Sequence, residues 1–139
     1  MKSIENDVFT IIAERLRTAF PGIYVTGEYV PVPASFPAVS IVEADNAVFK
    51  SLSTIAVDDF EKVMYEVNVY SNKTAGKKSE AKAIFEVVDD ELTALKFTRL
   101  SRTQVPNFAE ATIYRLNGRY EAIVGDGRDA GTYMIYQNT

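Results

Sequence analysis

Gly76-Lys77-Lys78-Ser79, just ahead of a helical stretch, comes nearest to a chemical motif. A phosphate-binding loop would need a second glycine five residues before Gly76 and Ser or Thr directly after the first lysine. The chain has Ser71 and Lys78 at those positions, so the segment reads as a basic loop entering a helix. Carboxylates gather at Asp58-Asp59 with Glu61 and at Asp89-Asp90-Glu91. A hard cation takes oxygen ligands, but neither cluster has the spacing of a cation loop, and the second falls on a solvated helix face. Gly125-Asp126-Gly127-Arg128-Asp129 reads as a tight turn. The chain has no histidine and no cysteine. The commonest general base, the commonest transition-metal ligands and any Ser-His triad are thereby absent. Ser51, Ser53, Ser71, Ser79 and Ser101 consequently lack a histidine partner. The expectation is a non-enzymatic chain with no catalytic residues, no cofactor and no metal site.

The bulk numbers bound the remaining choices. With 139 residues, 47% hydrophobic and 24% charged, the chain is expected to form a single domain over residues 1–139. A formal net charge of −4 opposes general nucleic-acid binding, which needs a basic face to displace counterions. The first residues, Met1 to Asp7, lack the basic-then-apolar pattern of a signal peptide, and no apolar run approaches the roughly 20 residues of a membrane span. Synthesis in the cytoplasm without membrane association is expected.

Apolar periodicity supplies the elements. Ile4, Val8, Ile11, Ile12, Leu16 and Phe20 make one face of a helix over 3–20, stopped by Pro21-Gly22. Residues 23–26 form a short strand, and Pro31-Val32-Pro33 enforces an extended, irregular passage. Residues 38–44 form a second strand. Lys62 to Tyr70 alternates most clearly, with Val63, Tyr65, Val67 and Val69 on one face. A second helix spans 79–96, with Ala81, Ile84, Phe85, Val88, Leu92 and Leu95 on its apolar side. A strand over 97–105 precedes Pro106-Asn107. Asn117-Gly118 predicts a tight hairpin pairing Leu116 with Arg119, because that dipeptide tolerates positive φ at both turn positions. Residues 132–136 add a short strand. The fold class expected is α+β, a largely antiparallel sheet with two amphipathic helices packed on one face.

Two features point to self-association. Residues 45–60 keep no period, begin with the turn signal Asp45-Asn46, and carry Phe49, Leu52, Ile55 and Val57, which are costly to expose. The eight tyrosines fall mostly on strands or at their ends. Met64 and Tyr70 lie opposite the expected core face of their strand, where a neighbouring subunit would meet them. The candidate self-association residues are therefore Phe49, Leu52, Ile55, Val57, Met64 and Tyr70. Folding of the 45–60 segment onto its own core, and ordinary sheet packing of the tyrosines, remain open as the plainer readings.

In element order the chain resembles the tail-terminator, or tail-completion, proteins at the neck of long-tailed siphophages and of defective prophages. The resemblance rests on the opening helix Ile4–Phe20, the Pro-rich stretch Tyr29–Pro37 with the strand Pro37–Ile41, and the strand Tyr65–Asn72. The Gly/Lys loop, the helix Ala81–Leu95 and the Asn-Gly segment near Arg115, Arg119 and Tyr120 complete it. Residues 4–124 are covered, without an invariant motif. Such a resemblance implies a hexameric ring of the chain with itself, capping the tail tube protein and joining it to the head connector protein. DNA would pass through the lumen without specific binding, and the protein would assemble in a bacterial host cytoplasm and reside in the virion. Head-completion and other head–tail adaptor proteins share this texture. A small-molecule-binding regulatory α+β module is the alternative of another class.

Overall fold

The computed structural model describes residues 5–48, 60–107, 110–127 and 132–136. In chain order the elements are α1 (Glu5–Ala19), β1 (Tyr24–Thr26), β2 (Ala38–Val48), β3 (Phe60–Ser71), α2 (Lys77–Ala94), β4 (Thr98–Val105), β5 (Tyr114–Gly127) and β6 (Thr132–Tyr136). The architecture is the α+β arrangement expected from periodicity. Strand order is β1-β2-β3-β5-β4, with β6 pairing the far half of β5. Among the described residues only the β1–β2 pair is parallel.

Strand parity decides which side chains enter the core. Val39 pairs with Val69, which pairs with Leu116; Ile41 pairs with Val67, which pairs with Gly118; Tyr65 pairs with Tyr120, and Val63 with Ala122. These rows face both helices. Val8, Ile12, Ala13 and Leu16 of α1 and Ala81, Ile84, Phe85, Val88 and Leu92 of α2 pack against them. Each fully buried large aliphatic or aromatic side chain contributes about 1.5–3 kcal/mol through removal from water.

α2 begins at Gly76, whose φ of +88° suits a residue without Cβ. It ends in a Schellman arrangement. The Phe97 N–H donates to the Leu92 carbonyl at 2.9 Å, and the Lys96 N–H to the Thr93 carbonyl at 2.9 Å. Lys96 takes the left-handed position, at φ +73°.

The expected Asn-Gly hairpin does not form. β5 runs straight through Asn117-Gly118, with Asn117 paired to Asn68 and Thr103, and Gly118 to Val67 and Arg102. The physical reason lies above the strand. A Cβ at Gly118 would stand 2.4 Å from Cζ of Phe85 and 2.7 Å from its Cε2, so the glycine exists to admit that ring. Two other turn assignments also shift. Asp45-Asn46 lies within β2, just past a bulge between Glu43 and Asp45, pairing with Met64 and Val63. Residues 45–48 are therefore strand. Gly125-Asp126-Gly127 is likewise strand, paired with Met134, Tyr133 and Thr132 of β6.

Two stability predictions follow from these positions. Gly118→Ala is expected to destabilise the protein by about 1–3 kcal/mol through overpacking against Phe85; a denaturation midpoint equal to that of the parent would refute the contact. Lys96→Gly is expected to stabilise it by about 1 kcal/mol, since the left-handed conformation then carries no Cβ penalty. The same denaturation series measures both.

Candidate contact surfaces

The face of the sheet away from the helices is polar but not loosely hydrated. Its rows run Ala38–Tyr70–Arg115, Ser40–Asn68–Asn117, Val42–Glu66–Arg119 and Asp45–Met64–Glu121. Ser40 and Asn68 are buried, so their polar atoms need partners. Asn68 Nδ2 donates to Ser40 Oγ at 3.3 Å, while its Oδ1 accepts from Arg115 Nε and Asn117 Nδ2, both at 2.9 Å. One asparagine thus ties β2, β3 and β5 together. Farther along, Arg119 meets Glu66 at 3.4 Å and Lys62 meets Glu121 at 3.2 Å.

The Pro-rich passage after β1 folds across the near end of this face. Tyr70 OH donates to the Val30 carbonyl at 2.8 Å, and Asn107 Nδ2 to the Pro31 carbonyl at 2.8 Å. The Arg115 guanidinium lies 5.2 Å from the Tyr29 ring centre, with Nη1 3.4 Å from its hydroxyl. Tyr70, Ala38 and Ile113 form a small second core beneath, flanked by Tyr24 and Phe36. The loop is held from three directions, yet Tyr29 and Val32 are 53% and 49% exposed. This presented apolar tip escaped sequence reasoning, because its anchors come from distant strands. Beside it, Gln104, Val105, Pro106, Asn107, Ala111 and Ile113 line an open cleft of about 420 Å³.

The sheet also leaves edges. β1 pairs only Ala38, Val39 and Ser40 of β2, so among the described residues β2 has no strand neighbour on that side from Ile41 to Val48. At the other edge β4 pairs β5 alone, again among the described residues, and Leu100 at its bulge is exposed.

The residues singled out from sequence separate on this framework. Phe49, Leu52, Ile55 and Val57 lie outside the described residues. Met64 is half-buried on the polar face. Tyr70 is on that face too, but fully buried under the Pro-rich loop, so its ring supports the loop. Of the carboxylate clusters, Asp58 and Asp59 lie outside the described residues. Asp89 accepts from Tyr120 OH at 2.6 Å and meets Arg99 at 3.4 Å, while Glu91 meets Arg15 at 3.3 Å. Two members of the second cluster therefore brace α2 against β5, β4 and α1. Lys77 Nζ donates to the Thr112 carbonyl at 3.0 Å, a structural use of the basic loop. Among the described residues no three Asp or Glu side chains converge as a metal site, and no helix is long and apolar enough to cross a membrane.

No family profile matches the chain, and no curated protein matches it in sequence. Its fold is nevertheless similar to that of a solved structure. This is the sheath/tube terminator of an extracellular contractile injection system, PVC, determined by cryo-electron microscopy in the extended state. The TM-score is 0.51 at 11% sequence identity, and the match covers all of this chain and 62% of the terminator. The chain thus has a terminator-like fold and spans less than two thirds of that protein's length. The likeness is to a contractile system and is not specific to siphophages.

Tyr120 offers a test of the bracing. Burial raises the pKa of its hydroxyl, and the hydrogen bond to Asp89 raises it further, above the ordinary value of 10.0. Burial also raises that of Tyr70, against the opposing pull of Arg115. In the unfolded chain these phenols ionise near 10; in the folded chain they hold their protons. Above that pH the folded state binds more protons, so the contribution of these two groups to stability is level below about pH 10 and falls as pH rises beyond it. Tyr120→Phe is expected to lose about 1 kcal/mol at neutral pH and to flatten the alkaline fall. Denaturation at stepped pH reads both; an unchanged alkaline slope would disconnect Tyr120 from it.

Proposed function

We propose that this chain is a non-enzymatic structural protein of a phage-like tail, which associates with itself into a ring that caps the tail tube. The observation that supports this most directly is the terminator-like fold over the whole chain. In the finer reading the ring is a hexamer, joins the tube to a head connector, lets DNA pass through its lumen, and resides in a virion assembled in a bacterial cytoplasm.

The edges give the ring a physical route. β2, β3, β5 and β4 alternate in direction, so β4 runs antiparallel to β2. A rotation that brings β4 of one copy beside β2 of the next therefore keeps antiparallel pairing at the joint. Head-to-tail contacts of this kind close into a ring when the rotation per subunit divides a full turn. The polar sheet face balances Lys62, Arg115 and Arg119 against Asp45, Glu66 and Glu121 along its rows. A lumen lined by that face would carry no strong net attraction for DNA, and attraction would slow passage.

The test is native mass across a concentration and Mg²⁺ series, with negative-stain images of the protein alone and mixed with its tube protein. Rings with a central hole, free or seated on tube ends, are the expected result. A monomer that neither forms rings nor binds tube ends would overturn the reading. A head-side adaptor would join heads without capping tubes. A small-molecule module would instead fill the cleft by Val105 and Ile113 and stay monomeric.

A further inference from the structure

The solvent side of α2 carries an ordered charge pattern that the helix itself does not explain. Lys78, Lys82, Glu86 and Asp90 are exposed and four residues apart, so they form one row over about 18 Å. The buried side of the helix is Ala81, Ile84, Phe85, Val88 and Leu92, so the row points away from the sheet. Reading from the N-terminus, the signs are plus, plus, minus, minus. The helix dipole favours the reverse order, with anions first and cations last. The one internal opposite pair, Lys82 to Glu86, has the weaker of the two orientations.

Nor is the row consumed by tertiary contacts. Neighbouring charges are: Glu91 pairs with Arg15, Asp89 with Arg99, Glu80 accepts from Ser71 Oγ at 2.7 Å, and Lys77 reaches Thr112. Among the described residues none of Lys78, Lys82, Glu86 and Asp90 forms an ion pair. Ser79 and Ala83, exposed beside the row, are small enough for another helix to approach closely.

We propose that this face of α2 is a contact between two copies of the chain, docked antiparallel about a two-fold axis. A plus-plus-minus-minus row is complementary to itself when reversed. Lys78 and Lys82 of each copy then face Asp90 and Glu86 of the other, giving four opposed pairs around an axis that passes between Lys82 and Glu86, beside Ala83. Such a contact is isologous, whereas the edge joints of the proposed ring are head-to-tail. It uses the helix layer and leaves both sheet edges unoccupied, so it stands independently of the ring reading.

Charge-swap variants measured by sedimentation equilibrium test it, at about 0.02 M and about 0.5 M salt, conditions that lengthen and shorten the screening distance. Wild type is expected to associate at low salt and weaken at least about tenfold at high salt. Lys78→Glu with Lys82→Glu makes the row all negative; Glu86→Lys with Asp90→Lys makes it all positive. Each double variant alone is expected to lose the association, and a mixture of the two to restore it as a one-to-one pair. All four positions are exposed, and circular dichroism melts confirm folding of each variant. Association unaltered in either variant, or a mixture no tighter than its components, overturns the proposal. So does a wild type that never associates at low salt. Rings seen by microscopy with both variants would leave the tail-capping reading intact whichever way the swap falls.

Discussion

β3 is the strand on which the rest of the molecule depends. It is paired along its length by β2 on one side and β5 on the other. Its core-facing residues Val63, Tyr65, Val67 and Val69 are almost fully buried, and so are Asn68 and Tyr70 on the opposite face. A slip of one residue in its pairing would drive Asn68 into the helix layer and lift valines into the polar face. Both faces therefore specify the same register. The apolar rows do so through burial, and the Asn68 network does so through hydrogen bonds that only this alignment satisfies.

That double specification explains how a sheet covered by helices on only one side can hold its other side in order. Removing one partner from a buried polar group costs more than the bond contributes when made, because the remaining group stays unsatisfied. Asn68 has three such bonds, to Ser40, Arg115 and Asn117. Arg115 extends the network to Tyr29, and Tyr70 next to it carries the Val30 carbonyl. The Pro-rich loop is thus part of the same cross-strand system. Its exposed tip is held from below through the Val30 and Pro31 carbonyls.

What local sequence could show was periodicity, and both helices and the strand around Tyr65 follow it. What it could not show was the identity of long-range partners. Asn117-Gly118 has the chemistry of a hairpin turn, but in the fold the asparagine serves Asn68 and the glycine makes room for Phe85. A pair of residues with two competing uses cannot be resolved from its neighbours alone. Tyr70 illustrates the same limit at the candidate surface. Its parity places it opposite the core, yet Val30, forty residues earlier, returns to cover it. The Tyr29–Val32 tip was hidden for the converse reason, since two prolines in sequence announce irregularity and not the distant anchors that hold the loop.

The treatment of the sheet edges is the last element that bears on function. Edge strands invite indiscriminate pairing, and proteins commonly defend them with bulges, charges and proline. Both edges here carry such devices: a bulge between Glu43 and Asp45 on β2, and a bulge between Arg99 and Ser101 on β4, with Pro106 directly after it. Among the described residues β1 covers only the start of the β2 edge, and no strand covers the outer side of β4. A bulge bends its strand and increases its local twist, so only a neighbour of matching curvature can extend the ladder. Beyond β1, β2 carries Glu43 and Asp45; on β4, Arg99 meets Asp89 and Arg102 lies over the Phe85 ring. Edges that are bulged in this way refuse random strands, and the edge-to-edge joint of the proposed ring would have to match their curvature.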